Sequence, residues 1–338
     1  MREGPGVKLS HNEVEGTRMS RSMVSMIAAI AFGLVLLEAQ SAAPRRVAIT
    51  IDDGPVVNEM SDLGRFQRIT NGLIGSFQVE KVPVTMFLNE RQLNVQGQRD
   101  ARAAVVEQWL NAGFELGNHT YSHPSPNKVS VSQFLDDVVK GEVVTRALLE
   151  QRGRQLVWLR YPYLHSGATA VDHQAIVDSL AQRNYRVAPV TVDYADYTFA
   201  GAYSRELHRG NIEAAEKIKQ AYLDQVDVGF DYAERSSLEL FGREVAQILL
   251  IHCNELNSLT LRESIARMRK RGYTFISLDE AMQDPAYERP DTFAGPGGSW
   301  LSRSATVMGK QLTPETAARR PVVPKWIADL PLTGAATQ

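Results

Sequence analysis

The chain has 338 residues, 43% of them hydrophobic and 22% charged, with a formal net charge of −2. That length can hold one α/β domain of about 200–250 residues, and a near-neutral balance gives no global field toward nucleic acid or anionic lipid. The single cysteine, Cys253, excludes an internal disulfide and a cysteine-built zinc site.

The N-terminal 43 residues read as a leader. An apolar run from about Met23 to Leu37 follows Arg18 and Arg21 and precedes Ser41-Ala42-Ala43, the order of an export signal with a small-residue cleavage site. The run is short for a membrane span of about 20 residues. Met1 to Thr17 is polar and unlike the usual start of such a signal, which makes Met19 a candidate first residue. The expectation is export to a periplasm or the cell exterior without stable membrane insertion, an uncleaved N-terminal anchor being the alternative.

From Val47 a β-branched run, Val47 to Ile51, reads as a strand buried on both faces and ending on Asp52, Asp53 and Gly54-Pro55. Strand alternation sends consecutive side chains to opposite faces, so the two carboxylates are expected to serve different tasks. Apolar spacing predicts a helix over 61–77, a strand over 82–88, a helix over 101–112 and a strand in "FELGNH". One helix is expected over 132–151, capped by Ser130 or Ser132, and then the strand "LVWLR". A helix over 171–183, the strand "YRVAPVTVD", a helix over 202–226, the strand "QILLIH", a helix over 260–271 and the strand "YTFIS" complete the series. The long segments 56–81 and 224–243 are expected to shape a groove. Alternating strands and helices imply parallel pairing, and about seven such units in 44–283 favour closure into a barrel. Residues 284–338 read as an extended tail in which only Trp300 to Met308 and Trp326-Ile327 look able to dock.

Asp52, Asp53, His119, His123, Arg160, Asp193, Asp196 and His252 each fall at or just beyond the C-terminal end of a predicted strand. A parallel barrel gathers those ends on one face, where active sites form. "NHTYSHP" spaces His119 and His123 four apart, so with Asp53 they make a plausible divalent-metal set, zinc first by ligand type. A water activated there needs a base, for which Asp52 is placed, and a leaving group needs an acid, for which His252 is placed. Arg160 can orient Asp52, the Pro162-Tyr163 turn can present an N–H to an oxyanion, and Asp196, with Asp193 less favoured, can raise the His252 pKa. His165 is close enough in sequence to this loop to reach a substrate hydroxyl. His173 and His208 read as structural, and Cys253 as buried filler.

"TIDDGP", "HTYSHP", "RYPY", "DYADY" and "LIH", in this order, resemble the five motifs of the polysaccharide deacetylases, the NodB-like domain of carbohydrate esterase family 4. The resemblance spans about Arg46 to Leu278. It implies a distorted (β/α) barrel and metal-dependent removal of acetyl groups from N- or O-acetylated glycans. It also implies Asp52 as base, Asp53, His119 and His123 as metal ligands, and Arg160 as orienter of the base. Tyr163 would lend an oxyanion N–H, Asp196 would tune the acid His252, and Leu250 would line an acetyl pocket. Ile51 stands where the family has an aromatic residue. Tyr197 stands where it commonly has tryptophan, which alters one wall of that pocket. A hydrolase of a small non-sugar amide and a glycan-binding protein without catalysis are the alternatives.

Overall fold

The computed structural model describes residues 1, 2, 4, 6, 44–57 and 62–330. The chain divides into two units, Met1–Pro44 and Arg45–Gln338. The apolar run at 23–37 and the cleavage site expected after it lie outside the described residues, and among the described residues no helix is long and apolar enough to cross a membrane.

The second unit is a curled, all-parallel sheet of seven strands wrapped by helices. The strands are β1 (Arg45–Gly54), β2 (Val84–Leu88), β3 (Glu115–Asn118), β4 (Trp158–Leu159), β5 (Arg186–Val187), β6 (Gln247–His252) and β7 (Tyr273–Phe275). Their order is β5-β4-β3-β2-β1-β6, with β7 on the first residues of β1. Past β5 the chain crosses to the other edge, where Val192 bridges Leu249 of β6. This curls the sheet toward closure, giving the distorted barrel expected of the sequence. The helices are α1 (Leu63–Glu80), α2 (Arg99–Asn111), α3 (Val131–Lys140), α4 (Val143–Glu150), α5 (Ala170–Gln182), α6 (Asp196–His208), α7 (Ile212–Phe241), α8 (Glu255–Lys270), α9 (Leu278–Ala281), α10 (Trp300–Val307), α11 (Pro314–Ala317) and α12 (Lys325–Ala328).

Strand β1 shows why the apolar run is continuous. Val47, Ile49 and Ile51 enter the large core under the helices, while Ala48 joins Phe87, Trp158, Ala188 and Ile248 in a smaller cluster on the other face. Both faces are covered, so both parities are apolar. Thr50 and Asp52 continue the Ala48 face and are buried as well, so this face turns polar toward the C-terminal end.

Several expected elements take another form; the helix expected over 202–226 is the end of α6 and the first half of α7, parted at the left-handed Gly210. The single helix over 132–151 is two, α3 and α4, broken at Gly141, whose backbone packs so closely on the Thr120-Tyr121 peptide that a Cβ would lie 2.3 Å from Thr120 C. Ser130 makes the capping box of α3 with Gln133. The segment 224–243 belongs largely to the 30-residue α7, where Phe230 and Leu240 pack the core, while Gly229 and Tyr232 border a hollow of about 180 Å³ with Thr191, Asp193 and Gly298. From 284 on, short helices alternate with irregular chain: α10 and α11 pack on α7 and α12 packs on α6, with Trp300, Leu301 and Ile327 buried, so the two segments expected to dock do so.

Trp109 of α2 is fully buried against Phe77 and Phe114, with ring centroids 6.4 and 5.9 Å away. Its indole Nε1 has no hydrogen-bond partner. Trp109→Ala is therefore expected to cost about 3–5 kcal/mol in chemical denaturation. Trp109→Phe, which removes the unpaired donor along with the extra ring, is expected to cost less than about 1.5 kcal/mol. Equal losses for the two would refute this account of the packing.

Candidate active site

The site begins with a defect in β1. Between Ile51, opposite Met86, and Gly54, opposite Leu88, the strand carries one residue more than its neighbour β2. Asp53 adopts a left-handed backbone, φ 56°. Alternation would send Asp53 to the face opposite Asp52; the bulge re-aims it. Both carboxylates consequently approach one imidazole, His119 Nε2, at 3.7 Å from Asp52 and 3.6 Å from Asp53. The carboxylates lie on one side because regular alternation ends at Asp52, the last residue of β1 in register with β6.

His119 follows β3 directly. Its Nδ1 lies 2.9 Å from Arg160 O, so Nδ1–H donates there and the Nε2 lone pair faces Asp53. His123 Nε2 is also 3.6 Å from Asp53 Oδ1, and one ligand atom from each of Asp53, His119 and His123 lies within 4.8 Å of the others. Burial lowers the pKa of both imidazoles, that of His119 the more strongly, with the charge of His123 adding to the effect. Two neutral imidazoles and a carboxylate converging on one point suit a divalent cation of the zinc type. The His119–His123 loop is fastened by Asn89, whose amide donates to His119 O at 2.6 Å and Thr120 O at 3.3 Å.

Asp52 is 2% exposed and Arg160, just past β4, is wholly buried. Arg160 Nη1 lies 3.4 Å from both Asp52 oxygens, and Nη2 donates to Thr50 Oγ1 at 3.0 Å. The guanidinium also covers the Phe87 ring at 4.7 Å. Burial raises the Asp52 pKa to about 6, against the opposing charges of Arg160 and His252.

His252, the last residue of β6, is the register partner of Asp52 across β1 and β6. Its Nδ1 lies 2.7 Å from Asp196 Oδ1, and its N–H donates to Asp196 Oδ2 at 2.9 Å. Burial opposes charging of the imidazole, but the Asp196 carboxylate outweighs it and lifts the pKa to about 10. Burial would likewise raise Asp196; the His252 charge and its hydrogen bonds hold it below the usual carboxylate value. Asn254 and Asn257 donate to Asp196 Oδ2 at 3.1 and 2.6 Å. These two amides were missed in the sequence, although asparagines three apart at a helix start are a capping signal, and Asn254 does cap α8. Asp193 does not reach His252; it accepts from Ala195 N.

Tyr163 lies in a 3₁₀ turn, Pro162–Leu164, closed by the N–H groups of Leu164 and His165 donating to Tyr161 O and Pro162 O. Tyr163 and Leu164 are left-handed, φ 60° and 55°. Tyr163 is 59% exposed, and its ring stands edge-on to His123, centroids 4.5 Å apart. Tyr197, 56% exposed, stands in the same way on His252 at 5.7 Å, and Leu250 is buried in β6. His165 is engaged by Ser125 Oγ at 2.8 Å, and both ring nitrogens of His173 meet backbone carbonyls. His208 contacts Ser204 O. Cys253 is buried and its thiol is pushed well up by burial, which leaves it inert.

Six of the nine non-glycine residues with left-handed φ among the described residues, Asp53, Thr120, His123, Tyr163, Leu164 and Ala195, lie in the loops that carry the site. At roughly 1–3 kcal/mol each, this strain is concentrated where side chains and N–H groups are aimed. A hollow of about 410 Å³ lined by Asp53, Asn89, Arg91, Gln92, Tyr121, Ser122 and His123 borders the site. A second, of about 240 Å³, lies beside Tyr197 and Asn254.

Residues 39–180 match the family model described as polysaccharide deacetylase. The chain is 26% identical over 151 residues to a peptidoglycan-N-acetylglucosamine deacetylase of Bacillus cereus, covering 45% of this chain and 46% of that one. It is 24% identical over 261 residues to a chitin deacetylase of Arthroderma benhamiae, covering 76% and 56%. The chain thus spans about half the length of these curated relatives. Among solved structures it is similar to a CE4 family pseudoenzyme from Bacillus anthracis, 17% identical, with a TM-score of 0.49 over 71% of this chain and 66% of that one.

Removing Arg160 would leave Asp52 buried without its cation. In chelator-treated protein, Arg160→Met is expected to cost about 3–5 kcal/mol in denaturant unfolding near neutral pH. The sign follows from protonation. The Asp52 pKa is already above its ordinary value of 3.8 in the folded chain, so its ionisation lowers stability as pH rises through that interval. Without Arg160 the interval extends upward, and the deficit should be smaller at pH 5 than at pH 8. A deficit independent of pH would disprove the pairing.

Proposed function

Since the chain belongs to the polysaccharide deacetylase family, we propose that it is a metal-dependent hydrolase that removes acetyl groups from an N- or O-acetylated glycan. One observation carries the reading: Asp52 and His252, register partners on adjacent strands, have pKa values driven apart to about 6 and about 10 beside the Asp53, His119, His123 set. A base and an acid separated in this way can both be in their working forms between those values. The names of the Bacillus and Arthroderma relatives make peptidoglycan and chitin the first glycans to test. Both lie outside the cytoplasm, which agrees with an export signal over residues 1–43.

In this reading Asp53, His119 and His123 hold a divalent cation, zinc by donor type. Such an ion supplies positive charge that polarises the acyl carbonyl and acidifies water. Asp52, kept oriented by Arg160, takes the proton from the attacking water. His252, kept protonated by Asp196, gives a proton to the departing amine or alcohol. The Tyr163 N–H, which plays no part in closing its turn, faces the carbonyl oxygen as charge develops. Leu250 and Tyr197 bound the acyl group, and a tyrosine at 197 gives a narrower apolar wall than tryptophan with a polar edge. Residues 44–283 form the catalytic domain.

The decisive experiment is acetate release from chitin oligosaccharides and peptidoglycan by zinc-loaded protein. Release should stop on chelation and return with the metal, and His119→Ala should lose the bound ion. No release from any acetylated glycan, with hydrolysis of small cyclic or linear amides instead, would overturn the substrate assignment. Asp52→Asn is expected to keep the metal and lower kcat by about 10²–10⁴; undiminished turnover would remove Asp52 from the chemistry.

The pH profile follows from the same two groups. Activity should rise as Asp52 ionises, with a midpoint at or below about 6, and fall as His252 deprotonates, at or below about 10, because a bound cation favours the carboxylate and disfavours the imidazolium. In Asp196→Asn the alkaline limb should move to lower pH while the acid limb stays. An unmoved alkaline limb would show that another group sets it.

A further inference from the structure

The loop that carries Tyr163 is gripped from outside the barrel by the C-terminal segment. Ser166 Oγ donates to Phe293 O at 2.6 Å, and Gly295 N donates to Gly167 O at 3.1 Å. Arg303, 5% exposed, reaches Leu164 O at 3.4 Å and is itself held by Asp291 at 2.9 Å. Asn127 ties the two strips together: its Nδ2 donates to Gly295 O at 2.5 Å and its Oδ1 accepts from Gly167 N at 2.9 Å. Between these bonds Gly297 lies flat on the turn. A Cβ there would stand 2.4 Å from Tyr163 O and 2.8 Å from His165 Cδ2. The φ of Gly297 is outside the left-handed range, so closeness to the Tyr163 peptide, and not backbone conformation, demands glycine.

Two consecutive left-handed residues, Tyr163 and Leu164, do not hold that shape by themselves. The turn's own hydrogen bonds come from Leu164 and His165 N–H, and the outward carbonyls and hydroxyl are taken by the C-terminal segment. We propose that the segment Asp291–Arg303 is a strut that fixes the Tyr163 peptide against the catalytic centre, with Gly297 and Arg303 as its positioning residues. The role rests on the deacetylase reading, because that reading gives the Tyr163 N–H an oxyanion to face. Neither residue touches Asp53, His119 or His123 among the described contacts, so the strut acts on the oxyanion donor and not on the metal set.

The test compares full-length wild type, Gly297→Ala and Asn127→Ala, each loaded with zinc, by amide hydrogen exchange of residues 162–167 and by acetate release from chitin oligosaccharides. The expected result is faster exchange in 162–167 and a kcat reduced about ten- to a hundredfold, with KM within about twofold and zinc content unchanged. A purely structural role would instead lower zinc content or raise KM in step, and either result overturns the proposal. Unchanged kcat with faster loop exchange overturns it too. If wild type releases no acetate, that failure belongs to the deacetylase reading; the exchange measurement then decides alone, and an unaltered 162–167 segment in Gly297→Ala excludes the strut.

Discussion

The site depends on a carboxylate that folding places where a charge is costly. Asp52 lies on the inner face of β1 beyond Ala48 and Thr50, buried at the end of the sheet. Arg160 is the cation within 3.4 Å of it, and Arg160 is itself without exposure, braced by Thr50 and laid over Phe87. Burying both ions is compensated only if each is well placed for the other. The geometry is long for a salt bridge, so the carboxylate is left with a raised pKa and is not locked as a permanent anion.

Across β6 the same barrel end does the reverse. His252 is surrounded by a carboxylate, Asp196, that accepts from the His252 ring and main chain and from two asparagine amides. This fixes the negative charge and lets it hold a proton on the imidazole. One carboxylate is thus made more basic by poor solvation, and one imidazole more basic by a well-solvated partner. Their environments, and not their residue types, assign the roles.

Strain forms the third part of the arrangement. Left-handed backbone aims Asp53, His123 and Tyr163, and His123 N donates to Thr120 Oγ1. Asn89 grips the His119 loop, while Glu90 accepts from Val144 N and Thr145 N to hold the start of α4. Gly141 brings the break between α3 and α4 onto the Thr120-Tyr121 peptide. Unfavourable backbone at the centre is matched by close packing around it.

Much of this was legible in the chain. Period-2 and period-3.6 apolar patterns reflect local burial, so the strand–helix alternation, the parallel sheet and the gathering of Asp52, Asp53, His119, Arg160 and His252 at strand ends could be read without coordinates. "QILLIH" is β6 to the residue. Contacts between distant segments leave no such period. The bulge that turns Asp53 back beside Asp52, the asparagine amides on Asp196 and the break at Gly141 depend on partners tens or hundreds of residues away. The same holds for the lie of residues 291–303 along the Tyr163 turn. The sequence alone determined which strand-end carboxylates, imidazoles and guanidinium gather on one face; tertiary structure decided their further partners and how each is aimed and charged, because orientation and desolvation are set by what packs against a group and not by its neighbours along the chain.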